Sequence, residues 1–256
     1  GRRFKSVPRN QKLMEISAII PCYNFRKKII KNIILLDKIL KKNFVNYEII
    51  IINDSSDDGT KSKLNNFKKD KRIKIIHNNY NKGKSYSVLR GMRKATGNKI
   101  FLYDCDLPYY SYLNMFLKKL KKNQFVIIDR KNKKSRLIKK NITSYQKVRH
   151  LIGTIISHIV CLFIGINTVD TQSGMKGFIN TNFLRKNKFI SQRFFLDIEI
   201  INLFKKNKIH PVKIPVKYEI PRNSTIRLFD IKNFEILIEL CKVLTSLNIP
   251  RITQDK

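Results

Sequence analysis

Two aspartates, Asp104 and Asp106, close the apolar run Ile100-Phe101-Leu102-Tyr103. Along an extended segment side chains alternate, so the two carboxylates face the same way. Like charges placed so repel each other unless a cation lies between them. Oxygen ligands suit a hard divalent ion, Mg²⁺ or Mn²⁺, which also binds a diphosphate. Taken alone, the pair reads equally well as two turn carboxylates at a strand end. Three further segments have comparable chemistry. Asp54 follows the apolar run Ile49 to Ile52, with Asp57-Asp58-Gly59-Thr60 close behind. A carboxylate there can accept hydrogen bonds from a nucleobase edge, or the segment is an Asx turn opening a capped helix. In Pro21-Cys22-Tyr23-Asn24, Tyr23 could pack on a base and Asn24 bond to it, unless this is an ordinary loop. Asn81-Lys82-Gly83-Lys84 offers backbone N–H groups and a cation to a phosphate at a helix N-terminus, a plain glycine turn being the alternative.

Such residues need a scaffold, and the chain alternates strand and helix patterns. Strands are expected at 16–20 (ended by Pro21), 47–52, 73–76, 99–103 and 125–128. Helices are expected at 27–41, 61–69, 85–95 and from Pro108 to Leu120. This alternation implies βαβ units and a mostly parallel, Rossmann-like sheet flanked by helices, in the α/β class. Ligands of such sheets bind beyond the carboxyl ends of the strands, where Asp54, Asp104 and Asp106 fall. The second half is less regular. It holds a basic loop at 131–141, a long apolar helix from Tyr145 to Gly165 and a compact polar motif from Asp170 to Phe178. A helix at 195–206, an extended segment at 211–220 and an amphipathic helix at 231–247 follow. The parts read as a basic tail (1–14), an α/β domain (15–228) with a smaller C-terminal acceptor-side region, and a C-terminal amphipathic helix (229–256).

Fifty-four Lys and Arg against 18 Asp and Glu give a net charge of +36 over 256 residues. That imbalance suits a polyanionic partner: nucleic acid, an anionic membrane or a phosphorylated substrate. The basic residues are scattered, however, and no recognisable nucleic-acid motif appears. Cys22, Cys105, Cys161 and Cys241 are far apart and form no CxxC pair, which fits reduced thiols and no zinc site. No secretory signal is visible at the N-terminus. The apolar stretch 151–169 is interrupted by His158, Asn167 and two glycines, so a buried or interfacial helix is expected rather than a span. The absence of GxGxxG after the first strand argues against a dinucleotide oxidoreductase.

Taken in order, PCYN, INDSSDDGT, NKGK, DCD, DTQSGMK, FLDIE and RNSTIRL resemble the inverting family 2 glycosyltransferases of GT-A fold. Within them the resemblance is to enzymes acting on dolichyl and bacterial polyprenyl phosphates, and it covers about Glu15 to Leu228. It implies that Pro21, Tyr23, Asn24 and Asp54 line the base pocket. It also implies that Asp104, Cys105 and Asp106 bracket the metal and diphosphate, with Lys84 assisting. Arg130 and Arg149 fall where an acceptor phosphate would lie, Gln172 and Ser173 near the sugar, and Arg222 and Arg227 in a phosphate-binding loop. Phe25 stands where the family commonly has Glu, and Pro108 where some members add a metal ligand. The loop 222–227 lacks the usual glycine.

The resemblance leads to a metal-dependent transfer from a nucleotide-sugar, of UDP-glucose or GDP-mannose class, to a polyprenyl phosphate. Asp106 and Arg130 would be catalytic there. A cytoplasmic protein peripheral on an anionic membrane surface is expected, with no specific nucleic acid. Were the acceptor a sugar hydroxyl of a glycan or lipid, a general base would be needed, and Asp170 is the candidate. The competing readings are a basic nucleic-acid-binding α/β protein and a non-catalytic relative of the same fold.

Overall fold

The computed structural model describes residues 13–67, 70–138, 142–166, 170–220 and 232–248. At its centre is a seven-stranded sheet in the order β3-β2-β1-β4-β7-β5-β8. Its strands are β1 (Ile16–Cys22), β2 (Tyr47–Asn53), β3 (Ile73–His77), β4 (Lys99–Tyr103), β5 (Phe125–Ile128), β7 (Met175–Ile179) and β8 (Val212–Ile214). A two-stranded ribbon pairs β6 (Arg136–Leu137) with β9 (Lys217–Tyr218). β1 and β2 are buried along their whole length, as the near-continuous apolar runs of a parallel sheet covered on both faces demand.

Helices cover the two faces. α1 (Ile29–Asn43) buries Ile29, Ile33, Leu36 and Leu40, a helical stripe, beside α4 (Leu113–Lys122) with Leu113, Phe116, Leu117 and Leu120. The other face carries α3 (Lys84–Lys94), α6 (Asn182–Lys186) and α7 (Leu196–Lys206), where Phe125, Phe178 and Phe204 pack ring on ring. The short α2 (Thr60–Asn65) follows the β2 loop. A third apolar cluster joins α7 to α5 (Ser144–Ile164) and α8 (Lys232–Asn248) through Val160, Ile164, Ile198, Leu240 and Val243. α5 begins at a capping box, Thr143 with Gln146, and ends at Gly165 with φ +65°.

The sequence reading needs three corrections. Pro21 does not end the first strand, which runs on to Cys22 in register with Asn53. The segment 170–178 is more than a loop: β7 lies antiparallel between β4 and β5, in the middle of the sheet. The basic loop after β5 also carries β6, a strand too short to leave a periodic signal. Arg222 and Arg227 lie outside the described residues, as does the side chain of Arg149.

Candidate functional site

Every parallel strand of the central sheet delivers its carboxyl end to one edge, and the polar loops gather there. The loop after β1 is stitched to the loop after β2. Asn24 N–H donates to Ser56 Oγ (2.9 Å), Asp57 N–H to Asn24 Oδ1 (3.1 Å) and Arg26 N–H to Asp58 Oδ2 (2.9 Å). Pro21 is buried in β1, while Tyr23 and Asn24 stand exposed on this loop. Five non-glycine residues among the described ones have positive φ, and Asn24, Ser55, Leu107 and Tyr109 all lie in these edge loops. Strained backbone concentrated at a sheet's carboxyl edge is a mark of function.

Asp104 and Asp106 sit here, but the geometry differs from the extended alternation expected. β4 stops at Tyr103, and Asp104 to Leu107 form a turn closed by Leu107 N–H to Asp104 O (3.0 Å). Asp104 is half-buried and pairs with Lys84 Nζ at 2.6 Å. Asp106 is exposed, and its carboxyl is raised by surrounding protein and by the charge of Asp104. Lys84 is held protonated: burial opposes its charge, but Asp104, Asp197 and Asp106 outweigh it. Burial pushes the Cys105 thiol up, so it stays neutral between the two acids. Gly174 allows this turn to form. A Cβ there would meet Asp104 Oδ2 at 2.6 Å and Pro108 Cγ at 2.9 Å, and its carbonyl accepts from Asp104 N–H (3.1 Å).

The residue types fit a divalent ion: two carboxylate oxygens donors on one turn, one of them already bonded to a cation. Among the described residues no group of three His, Cys, Asp or Glu could enclose an ion, so phosphate and water oxygens would have to complete the shell.

Two expected contacts are rearranged. Asp54 is 4% exposed and accepts from Asn78 Nδ2 (2.6 Å), Lys82 N–H (3.0 Å) and Gly83 N–H (2.8 Å). Its carboxylate therefore holds the loop before α3 and is not turned to the cleft. The Lys82 and Gly83 amides are therefore taken up by Asp54. Beyond Lys82 and Gly83, the Ser85 and Tyr86 N–H groups donate to Arg193 O (3.0 Å) and Gln192 O (2.8 Å). Only the side chain of Lys84 carries that motif's chemistry into the cleft.

On the acceptor side, Arg130 follows β5 and makes a bidentate pair with Asp170 through Nε and through Nη2 to Oδ1 (2.7 Å). Asp170 is 2% exposed. Burial opposes its charge, yet the hydrogen bonds and charge of Arg130 hold its carboxyl below the usual range. An acid so held is a poor general base, so the base expectation for Asp170 is corrected, and two of the Arg130 nitrogens are already engaged. Gln172 is exposed and Ser173 buried beside this pair.

The residues missed by sequence reasoning extend the charge pattern. Lys176 on β7 is 1% exposed, donates to Ser173 O and lies 3.3 Å from Asp197 at the start of α7. Asp129 is buried, accepts from Lys131 N–H (2.9 Å), and its carboxyl is raised by burial. Asp129 was readable, since it ends a strand just as Asp54 and Asp104 do. Lys176 gave no signal, because a lysine in a strand ordinarily points to solvent. A cleft of about 530 Å³ between α3 and α6 is lined by Leu89, Met92, Arg93 and Arg185 and lies away from the acids.

Comparison with known proteins follows from this geometry. The family described as Glycosyl transferase family 2 matches residues 17–195. A dolichyl-phosphate beta-glucosyltransferase of Drosophila melanogaster is 26% identical over 232 residues, covering 80% of this chain and 67% of the relative. A dolichol-phosphate mannosyltransferase of Pyrococcus furiosus is 33% identical over 96 residues, 38% of this chain but only 27% of that protein's length. Among solved structures, mannosyl-3-phosphoglycerate synthase from Rubrobacter xylanophilus aligns with TM-score 0.63 at 15% identity, over 95% of this chain and 77% of that one. Glucosyl-3-phosphoglycerate synthase from Mycobacterium tuberculosis, in complex with Mn²⁺, UDP-glucose and phosphoglyceric acid, aligns with TM-score 0.62 at 14% identity, over 93% and 81%. At such identities the two structures establish a shared fold.

Proposed function

The chain belongs to glycosyl transferase family 2, and on that premise we propose that it moves a sugar from a nucleoside diphosphate sugar to a polyprenyl phosphate. The observation that carries the lipid acceptor is the outer face of α5. Val148, Leu151, Ile152, Ile155, Ile159 and Leu162 are all exposed, at 38% to 81%. At 100° per residue they fall in one stripe, opposite the face that Ser157, Val160, Cys161 and Ile164 bury. A helix apolar on both faces has a second apolar partner. α5 is also long and apolar enough to cross a membrane, with a mean hydropathy of 1.5. Packed by its inner face on α7 and α8, it suits lying on a bilayer better than spanning one. The surplus of Lys and Arg favours an anionic, cytosol-facing lipid surface.

The reaction asks little of a base. A phosphate oxygen of the acceptor, anionic near neutral pH, attacks the anomeric carbon. The bond from that carbon to the diphosphate breaks, and the diphosphate leaves with the electron pair. Asp104 and Asp106 would hold a divalent ion, which when bound offsets the charge gathering on the diphosphate. Lys84 adds a second positive charge from the opposite side of Asp104. Tyr23 and Asn24 stand exposed where a base would enter, above the buried Pro21.

The test is transfer from a panel of UDP- and GDP-sugars to a short polyprenyl phosphate, with Mn²⁺, Mg²⁺ or chelator. Thermal shifts would identify the donor beforehand. Asp106→Ala is expected to abolish transfer while unfolding at the wild-type temperature. Full activity in that variant would remove Asp106 from the reaction, and transfer only to free sugar hydroxyls would remove the lipid phosphate.

A further inference from the structure

We propose that Lys131 is the cation that receives the acceptor's phosphate monoester. The proposal rests on the acceptor reading above and adds a second cation beside Arg130. The Arg130 guanidinium is already paired, bidentate, with Asp170. Lys131 is the next residue, and its Nζ is shut off from solvent with no hydrogen-bond partner among the described residues. An ammonium has three protons to donate. Left buried without an anion it is costly, and proteins rarely keep one so without a use.

The surroundings say where that ammonium lies. Burial lowers its proton affinity, and the groups that act on it next are Cys161, Asp170, Arg130 and Asp129. Cys161 belongs to the inner face of α5, so the lysine lies near that helix as well as near Asp170. Neither nearby carboxylate completes it. Asp170 is bonded to Arg130, and Asp129 accepts from the Lys131 backbone N–H. Burial also raises the Asp129 carboxyl, which weakens the negative charge an incoming anion would meet.

Two hydroxyls on the flanking elements are also buried without partners: Ser157 Oγ and Ser173 Oγ. Ser157 is one turn before Cys161 on the same face of α5. Ser173 follows Asp170 by three residues and is 2% exposed. A phosphate monoester, with its several acceptor oxygens, is the kind of ligand that an unmatched ammonium and unmatched hydroxyls would take up. Such a ligand has two sources, a lipid phosphate or a small phosphorylated metabolite. The bare outer stripe of α5 favours the lipid.

The experiment compares the full chain with its Lys131→Met variant by calorimetric titration, without donor or metal. The probes are farnesyl phosphate, farnesol and glycerol 3-phosphate, with UDP and GDP as donor-side controls. Farnesyl phosphate is expected to bind Lys131→Met about tenfold or more weakly than wild type, the loss of a charge-assisted bond. Farnesol and the nucleotides should bind both proteins equally. The melting temperature of Lys131→Met should match or exceed that of wild type, because an unpaired buried charge has been removed. Equal affinity of the two proteins for farnesyl phosphate overturns the assignment and leaves the lipid acceptor standing. So does a lower melting temperature, which would show that Lys131 has a structural anion. Lys131-dependent binding of glycerol 3-phosphate in preference to farnesyl phosphate keeps the assignment and overturns the lipid acceptor. Binding of neither phosphate by wild type overturns both.

Discussion

Replacing Asp170 by Asn separates two roles that the sequence left open. If Asp170 were a general base, the amide would stop catalysis and leave stability nearly unchanged. The structure argues otherwise, since both carboxylate oxygens accept from Arg130 and the acid is 2% exposed. Removing one partner of a buried ion pair costs roughly 3–5 kcal/mol. The Arg130 side chain keeps 27% of its exposure and can turn toward water, so the lower end, about 3 kcal/mol, is expected. For a chain of this size that is a fall in Tm of about 6–12 °C. Arg130→Met should cost more, because it strands the buried carboxylate instead. The double variant should cost less than the two singles summed. The pH dependence has a definite sign. The folded carboxyl is held below its ordinary value, so its stabilisation is present above the unfolded pKa of about 3.9 and fades as pH falls through the folded value. The gap between wild type and Asp170→Asn in urea titrations should therefore be full at pH 6 and close below about pH 4. A stable, inactive Asp170→Asn protein whose gap does not change with pH would refute the ion-pair argument and restore the base.

Asp54→Ala strands the donors Asn78 Nδ2, Lys82 N–H and Gly83 N–H. Chemical denaturation should show a loss of about 2–4 kcal/mol, water recovering part of it; weaker donor binding with unchanged stability would mean that Asp54 touches the base after all. Lys84→Met frees Asp104 from its ammonium. Mn²⁺ titration of the donor-free protein should show tighter binding, while transfer slows by about tenfold or more for want of the second cation; metal affinity that falls instead would show that Lys84 shapes the turn. Gly174→Ala puts a methyl 2.6 Å from Asp104 Oδ2. Overpacking of this kind costs about 1–3 kcal/mol, and metal-dependent transfer should drop further than stability does; normal turnover would show that the turn can give way.

What could be read from the sequence follows from where periodicity is strong. The runs at Ile16, Tyr47, Lys99 and Phe125 belong to largely buried strands, so each is mostly apolar and is followed by a visible acid or turn. β7 was hidden because it reads Met-Lys-Gly-Phe-Ile, with a charged residue where an inner strand should be apolar. That lysine is tolerated through Ser173 O and through Asp197, some twenty residues away in the chain, and pairing at such a distance leaves no local trace. The same limit applies to the site. The positions of Asp104, Asp106 and Lys84 were legible from strand ends, but what each carboxylate bonds to was not. Asp54 looked like a ligand residue because it follows a strand, and only the fold shows its oxygens turned to Lys82 and Gly83.

A chain with only 18 acids places Asp54, Asp104, Asp106, Asp129, Asp170 and Asp197 around one edge, and structure alone accounts for most of them. Asp54 holds a loop, Asp129 and Asp170 hold the turn after β5, Asp197 neutralises Lys176, and Asp104 meets Lys84. Each is a buried or half-buried charge matched by a donor, as folding requires. Once these pairs are set aside, one acid and one base of the group have no such match. Asp106 bonds to no other residue among the described ones, and although it is exposed its carboxyl is raised by the surrounding protein and by Asp104. The Lys131 ammonium has no hydrogen-bond partner among the described residues, and burial lowers its proton affinity. Both charges are destabilised where they stand, with opposite signs. On the proposed function a cation would complete the first and an anion the second. A transferase that gripped a donor's diphosphate through a metal and an acceptor through its phosphate would use both groups, and a protein built only to fold needs neither.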